Sequence, residues 1–357
     1  MPDRFIRPFM FLSLLALLFA GCSSTSPRML NSETTVYPSP PDPPRLVYIT
    51  SFSSDEELFG AQGGFLSAIL GSQETKFINR PYGLTVANKK IYICDLRLPG
   101  IVIVDPMDKS FEYFTPGGEG KLQKPVNCAI DGSGRLYVTD TDRMQVVVYN
   151  QDLSFAGILR GDVKGKPVDV FSHNGRIYLL DMDLHSVSIF SETDWSLQMT
   201  IQQDSSSAPG YLFSPTNIWV DDSHIYVSDI GDQNIKIFDH QGNLTSAIGS
   251  LGMQIGQFTR PKGVASDIYE NVYVVDAAFE NVQIFDAKGA SLLSFGGPYS
   301  APGDMWLPAK VITDASLLQY FQPFIGSRYP LSFLIFITNQ YGPDKVSVYG
   351  FIKRDPA

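Results

Sequence analysis

The sequence predicts an all-β fold made of six copies of one unit, and three observations carry that prediction. Short apolar runs recur that each end in Asp or Asn: IYICD (to Asp95), LYVTD (Asp140), IYLLD (Asp181), IYVSD (Asp229), VYVVD (Asp276) and IFITN (Asn339). Three positions before each end stands an aromatic residue: Tyr92, Tyr137, Tyr178, Tyr226, Tyr273 and Phe336. A proline opens each unit, at Pro81, Pro125, Pro167, Pro215, Pro261 and Pro308, with spacings of 44, 42, 48, 46 and 47 residues. A small sheet of short strands cannot bury both of its faces alone, whereas sheets repeated radially bury them against one another. The expected architecture is a six-bladed β-propeller.

In chain order, residues 1–21 read as an export signal. Arg4 and Arg7 precede the apolar run FMFLSLLALLFA, which is shorter than the ~20 residues a membrane-spanning helix needs. The run ends at FAGC, which resembles a bacterial lipobox and implies that Cys22 is lipidated. Ser23 and Ser24 follow with no Asp beside the cysteine, a pattern that favours the outer membrane of a bacterial cell envelope. Residues 22–44 are rich in Ser, Thr and Pro without periodicity and read as a tether. RLVYITSFSS (45–54) is a strand with no unit around it, while the last unit lacks a fourth strand after Tyr349. Pairing the two would close the ring within a domain spanning 45–357 and remove exposed sheet edges.

Within a unit, a third run follows the Asp or Asn and ends at Val104, Tyr149, Phe190, Phe238, Phe285 or Tyr349. Turns such as DHQGN and DAKGA then lead to a fourth run such as LTSAIG or SLLSFG. Blade six departs from this pattern. Its proline lies 31 residues before Asn339, against 14 or 15 in the other blades, so an insertion near 315–330 separates its first two strands. The insertion carries Leu317, Leu318, Tyr320, Phe321, Phe324, Ile325 and Tyr329, and Pro323 and Pro330 break any membrane helix there. Such a segment has three readings. It is a loop folded back over the propeller's end, a contact with the bilayer surface, or a partner-docking element using Leu317, Tyr320, Phe321, Phe324 and Tyr329.

The stretch IGSLGMQIGQFTRPKGVASDIYENVYVVDAAFENVQIFDAKG (248–289) resembles an NHL repeat, whose pattern runs from spaced glycines through F-x-x-P-x-G-V-A to Y-V-x-D and a final aromatic strand. The resemblance covers roughly 45–351 and implies the six-bladed fold. It also implies a wide range of functions: protein docking, RNA binding, and lyase or lactonase activity in some relatives. NHL repeats often carry Arg shortly after the Asp; here those positions are Gly100, Gln145, Ser186, Asn234 and Asn281.

The chain has 37 acidic against 27 basic residues, a net charge of -10, and no basic run, so nucleic acid is not an expected partner. The repeated Asp recurs in every blade but the last, at a strand end before a turn, where a short carboxylate caps backbone N–H groups; its job is structural. Two residues after each opening proline stand Gly83, Asn127, Asp169, Asn217, Gly263 and Lys310. Asn127, Asp169 and Asn217, from consecutive blades, supply oxygen ligands of the kind Ca2+ takes, and resemble the channel metal set of gluconolactonase-like propellers. The same set also reads as the polar lining of a watery channel, and Lys310 on that ring opposes a cation. The four histidines, His173, His185, His224 and His240, do not form a zinc set, and neither G-x-S-x-G nor HExxH is present. Cys94 and Cys128 have no metal-ligand spacing; they are either a disulfide or two buried thiols. The expected function is a lipid-anchored envelope protein whose propeller binds a protein partner as a non-catalytic scaffold, without a cofactor. The alternative is a metal-dependent lactonase or lyase acting at the channel mouth.

Overall fold

The computed structural model describes residues 34–60, 74–159 and 165–353. The expected signal, Cys22 and most of the expected tether lie outside them. Six sheets are present, five of four strands and one of five. Blade three is representative, with Pro167–His173 innermost, then Arg176–Asp181, Ser186–Ser191 and Leu197–Ile201, each antiparallel to the last. The innermost strands of the other blades are Pro81–Ala87, Pro125–Ile130, Pro215–Val220, Pro261–Ser266 and Pro308–Asp314.

Ring closure follows the expected route. Leu46–Phe52 pairs with Val346–Ile352, with Tyr48 opposite Tyr349, and becomes the fourth strand of blade six. One boundary is corrected. The expected tether runs to residue 44, but Val36–Tyr37 already adds a fifth strand to that sheet, with Val36 opposite Val47. Tyr37 holds it there: its ring packs on Phe295 and Tyr349, and its hydroxyl donates to the Gly303 carbonyl at 3.0 Å.

Alternation along each strand buries both sheet faces between neighbouring blades. Tyr178 and Leu180 of blade three, for instance, share a core with Ile218, Ile225 and Phe238 of blade four. The antiparallel weave defines two ends. The upper face, where each innermost strand begins, also carries the turns between second and third strands. The lower face carries the other turns and the blade-six insertion.

The repeated carboxylates hold the upper face together. Asp229 accepts from the N–H groups of Phe213 (2.7 Å), Ser214 (2.8 Å) and Gly231 (3.0 Å), tying the approach to blade four to its own turn. Asp276 does the same for Thr259, Arg260 and Ala278. In blade six Asn339 substitutes, and its amide donates to the Asp344 carbonyl and to Ser347.

Candidate functional site

In every blade the pairing between the innermost and second strands slips just after the opening proline. In blades two to four the bulge leaves the residue one place on (Val126, Val168, Thr216) without a ladder partner, and the residue two places on re-enters the ladder beside the adjoining blade. Glycine suits this position where strands crowd. A Cβ on Gly83 would lie 2.5 Å from the Cα of Asn127, and one on Gly263 would lie 2.6 Å from the Val311 nitrogen.

The structure brings Asp169 together with Lys310 rather than with a metal-like oxygen set. Lys310 extends from blade six across the channel and places its Nζ 2.5 Å from Asp169 Oδ2, with both residues buried. The same oxygen accepts from the Ile218 N–H at 2.9 Å, and Oδ1 accepts from the Val170 N–H at 2.9 Å. Burial pushes the Asp169 carboxyl up, and Lys310 and the two N–H groups counter it. Asn127 Nδ2 donates to the Val168 carbonyl at 2.7 Å, binding blade two to blade three. Asn127 Oδ1 is buried without a partner, and the buried Asn217 side chain acts on the Tyr82 hydroxyl. The set does not suit Ca2+: its one carboxylate is engaged on both oxygens, and an ammonium already stands at the place a cation would take.

One ring member escaped the sequence reading. Lys262, one place after Pro261, is only 4% exposed, yet it reaches no carboxylate among the described residues. Its Nζ lies 5.0 Å from the centre of the Tyr82 ring. Burial, with Arg260 and Arg80 adding repulsion, lowers this ammonium to about 7. Burial and the Asp169 charge raise Tyr82 to about 12, so the phenol stays neutral beside Lys262. The only sequence signal was a lysine at an otherwise uncharged position (Tyr82, Val126, Val168, Thr216, Ala309). Below the Asp169–Lys310 pair, a cavity of about 150 Å3 opens toward the lower face, lined by Cys128, Phe171, Trp219 and Ile312.

The insertion folds as one helical turn, Leu318–Phe321, followed by a 3-10 turn, Gln322–Phe324. Leu317 and Phe321 are 1% and 0% exposed, and Phe321 packs edge-on against Phe336. Tyr320, Phe324 and Tyr329 are half-buried on the same core, and the Tyr320 hydroxyl donates to the Leu58 carbonyl. These aromatics cover the junction of blades six and one, so Leu317 and Phe321 are not free to touch a partner.

A cluster of exposed apolar side chains stands on the upper face. Between blades four and five, Leu251, Met253 and Ile255 are 66%, 83% and 80% exposed. Their loop is nevertheless fixed: Phe258 N–H donates to Ser250 O, Gly252 N–H to Phe258 O, and Gly256 N–H to Gln283 Oε1. The corresponding loop between blades five and six is tied down at Gly303, whose carbonyl accepts from both Tyr37 and Tyr349, while Trp306 beside it is 46% exposed. Of the histidines, His173 and His240 stack with ring centres 6.5 Å apart, and His173 meets Asp222 at 3.0 Å. His185 instead contacts the Leu212 carbonyl. Among the described residues no three His, Cys, Asp or Glu side chains form a metal-binding group. Cys94 and Cys128 are buried free thiols, and burial raises Cys94 first, with Cys128 beside it adding to the shift.

No family model matches this chain, and no curated protein matches it either. Solved structures match it in fold. A catalytically inactive virginiamycin B lyase of Staphylococcus aureus with quinupristin is 13% identical, covering 77% of this chain and 96% of its own, with a TM-score of 0.53. A structural genomics protein of unknown function from Bacteroides thetaiotaomicron is 14% identical, covering 86% and 75%, with a TM-score of 0.56. A chain of the nidogen/laminin complex is 18% identical, covering 63% and 84%, with a TM-score of 0.50. At these identities the likeness establishes the fold: the chain is a six-bladed β-propeller, an architecture found in both a lyase and a protein–protein complex.

Proposed function

We propose that this chain is a lipid-anchored protein of a bacterial envelope whose NHL-type propeller serves as a non-catalytic scaffold, docking a protein partner through its upper face. The observation that carries the reading is the loop of Leu251, Met253 and Ile255, rigid in its backbone and apolar at its exposed tip. Holding apolar anchors in place beforehand lowers the entropy lost on docking, and such anchors dominate protein interfaces. The channel supports the same reading, since its one central carboxylate serves as a strut to Lys310. The likeness to a chain of the nidogen/laminin complex supports the same reading.

A photo-cross-linking residue at position 253, in intact envelopes, tests the proposal. One discrete adduct is expected, weakened at least tenfold (~1.4 kcal/mol) by Ile255→Glu. The same probe at Leu292, away from that loop, should give none. Equal adducts at both positions, or an adduct indifferent to Ile255→Glu, would remove the upper face as the docking surface.

The lyase-like alternative draws on Asn217, a buried amide on the channel ring whose side chain acts on the Tyr82 hydroxyl. Under that reading Asn217→Ala abolishes turnover of a lactone or ester without changing stability. Under the scaffold reading no such turnover exists to lose.

A further inference from the structure

We infer that a second site, on the upper face between blades one and six, binds a small molecule through an oxyanion group, phosphoryl or carboxylate. A cleft of about 470 Å3 lies there, lined by Asn79, Arg80, Arg97, Gln340, Tyr341 and Lys345. That volume suits a small ligand rather than a protein surface. Three of the six lining residues are cations and none is an acid. In a chain of net charge -10, this concentration of positive charge runs against the whole.

The nearby carboxylates offset it only in part: the Asp95 charge counters the burial that lowers the Lys345 ammonium, which leaves three cations against one acid. Asp95 is buried, and its oxygens accept from the N–H groups of Asn79 (2.6 Å), Arg80 (3.0 Å) and Arg97 (2.9 Å). It therefore fixes the backbone of three lining residues while their side chains remain available. Asp344 turns away and accepts from the Ser51 hydroxyl at 2.6 Å. Among the described residues, Arg80, Arg97 and Lys345 form no ion pair.

Two further donors point to an absent acceptor. Gln340 is 4% exposed, and its Nε2 has no hydrogen-bond partner; Arg80 Nε is likewise buried and unpartnered. A buried donor without an acceptor is costly, and native structures rarely keep two together without a reason. An oxyanion offers several lone pairs in a compact group, and a guanidinium fork matches phosphate or carboxylate geometry. Arg80 is also held in place, its guanidinium 4.9 Å from the centre of the Tyr341 ring. The lysine backbone is pinned as well: Lys345 N–H donates to Ser53 Oγ, and its carbonyl accepts from Asn339 N–H. The site is independent of the docking loop and of the channel pair.

Titration calorimetry of the full chain tests this, with inorganic phosphate and with citrate as probes at an ionic strength held constant by sodium chloride. Saturable binding of at least one probe is expected, and saturation by phosphate alone or citrate alone identifies the group as phosphoryl or carboxylate. Arg97→Gln and Lys345→Gln should each weaken that binding at least fivefold, and Gln340→Leu should weaken it without altering any charge. Arg97 is exposed, so its replacement does not endanger folding. Lys288→Gln, on an exposed turn of blade five, should leave binding unchanged. Absence of saturation by either probe would overturn the site. So would equal weakening by Lys288→Gln, which marks a general charge effect, or full binding in the Arg97→Gln, Lys345→Gln double variant.

Discussion

Lys262 and Lys310 stand on neighbouring innermost strands, in blades five and six, and each is 4% exposed. Lys310 crosses the channel to a carboxylate at 2.5 Å, whereas Lys262 rests over a tyrosine ring with two arginines nearby. The same residue type at the same depth thus has opposite roles. A buried ammonium with a hydrogen-bonded carboxylate is a strut between blades, because separating the pair leaves a charge in a poor solvent. One without a partner is a strained group whose proton is held loosely. Burial alone does not assign a role to a charge; its nearest counter-charge does.

The largest expected effect comes from cutting the strut. Asp169→Ala leaves the Lys310 ammonium buried and removes the acceptor for the Ile218 and Val170 N–H groups. A loss of about 4 kcal/mol is expected from urea midpoints. Replacing both partners, Asp169→Leu with Lys310→Met, should recover most of it, since apolar pairs of similar size often match a buried ion pair. A single-variant loss below about 1 kcal/mol would mean that water solvates Lys310 in the channel and that the pair is no strut.

Lys262 gives the next effect, and its sign is opposite. The folded-state ammonium is lowered to about 7, while an unfolded lysine titrates near 10.4. Below pH ~7 both states hold the proton and the folded chain bears the whole cost of burying the charge. Between pH ~7 and ~10.4 the unfolded chain binds more protons, so this residue's contribution to stability improves as pH rises. Lys262→Met removes that slope. The variant should be the more stable protein at pH 6, and its advantage should shrink by about 3 kcal/mol between pH ~7 and ~9.5. Parallel stability curves for the two proteins across that range would show that Lys262 keeps an ordinary proton affinity.

The blades, the closing strand and the carboxylate caps were legible because each rests on local periodicity or on a repeat, and a repeat exposes its own exceptions. Proline-plus-two was marked as the ring position in that way. The pairing of Asp169 with Lys310 was not legible: the partners are 141 residues apart, and only closure of the ring sets blade three opposite blade six. Lys262 sat one place before a marked position and drew no attention. The insertion shows a different limit. Its bounds followed from a length difference, but a run such as LLQYFQPF does not say which side of each ring faces the body. Phe321 faces inward, onto Phe336. The strand at Val36–Tyr37 was hidden for a related reason, since a Pro- and Ser-rich composition masks the one tyrosine, Tyr37, that finds a groove.

The smallest effect separates burial from field at Lys262. Arg260 is exposed, and its repulsion is the second cause of the lowered Lys262 proton affinity, after burial. Arg260→Gln should let Lys262 keep its proton to a higher pH, so the advantage of Lys262→Met, tested in the Arg260→Gln background, begins to shrink later in the titration. The change in stability at pH 7 should be below about 1 kcal/mol, because an exposed charge acts through water. It should also fade in 1 M salt, where screening reaches only ~3 Å. If the titration stays in place in Arg260→Gln, Arg260 adds nothing through water and burial beneath Tyr82 is the chief cause at Lys262. If it moves, and moves less in high salt, the upper-face cations act on Lys262 as a shared field, and an anion bound near them would tighten its hold on the proton.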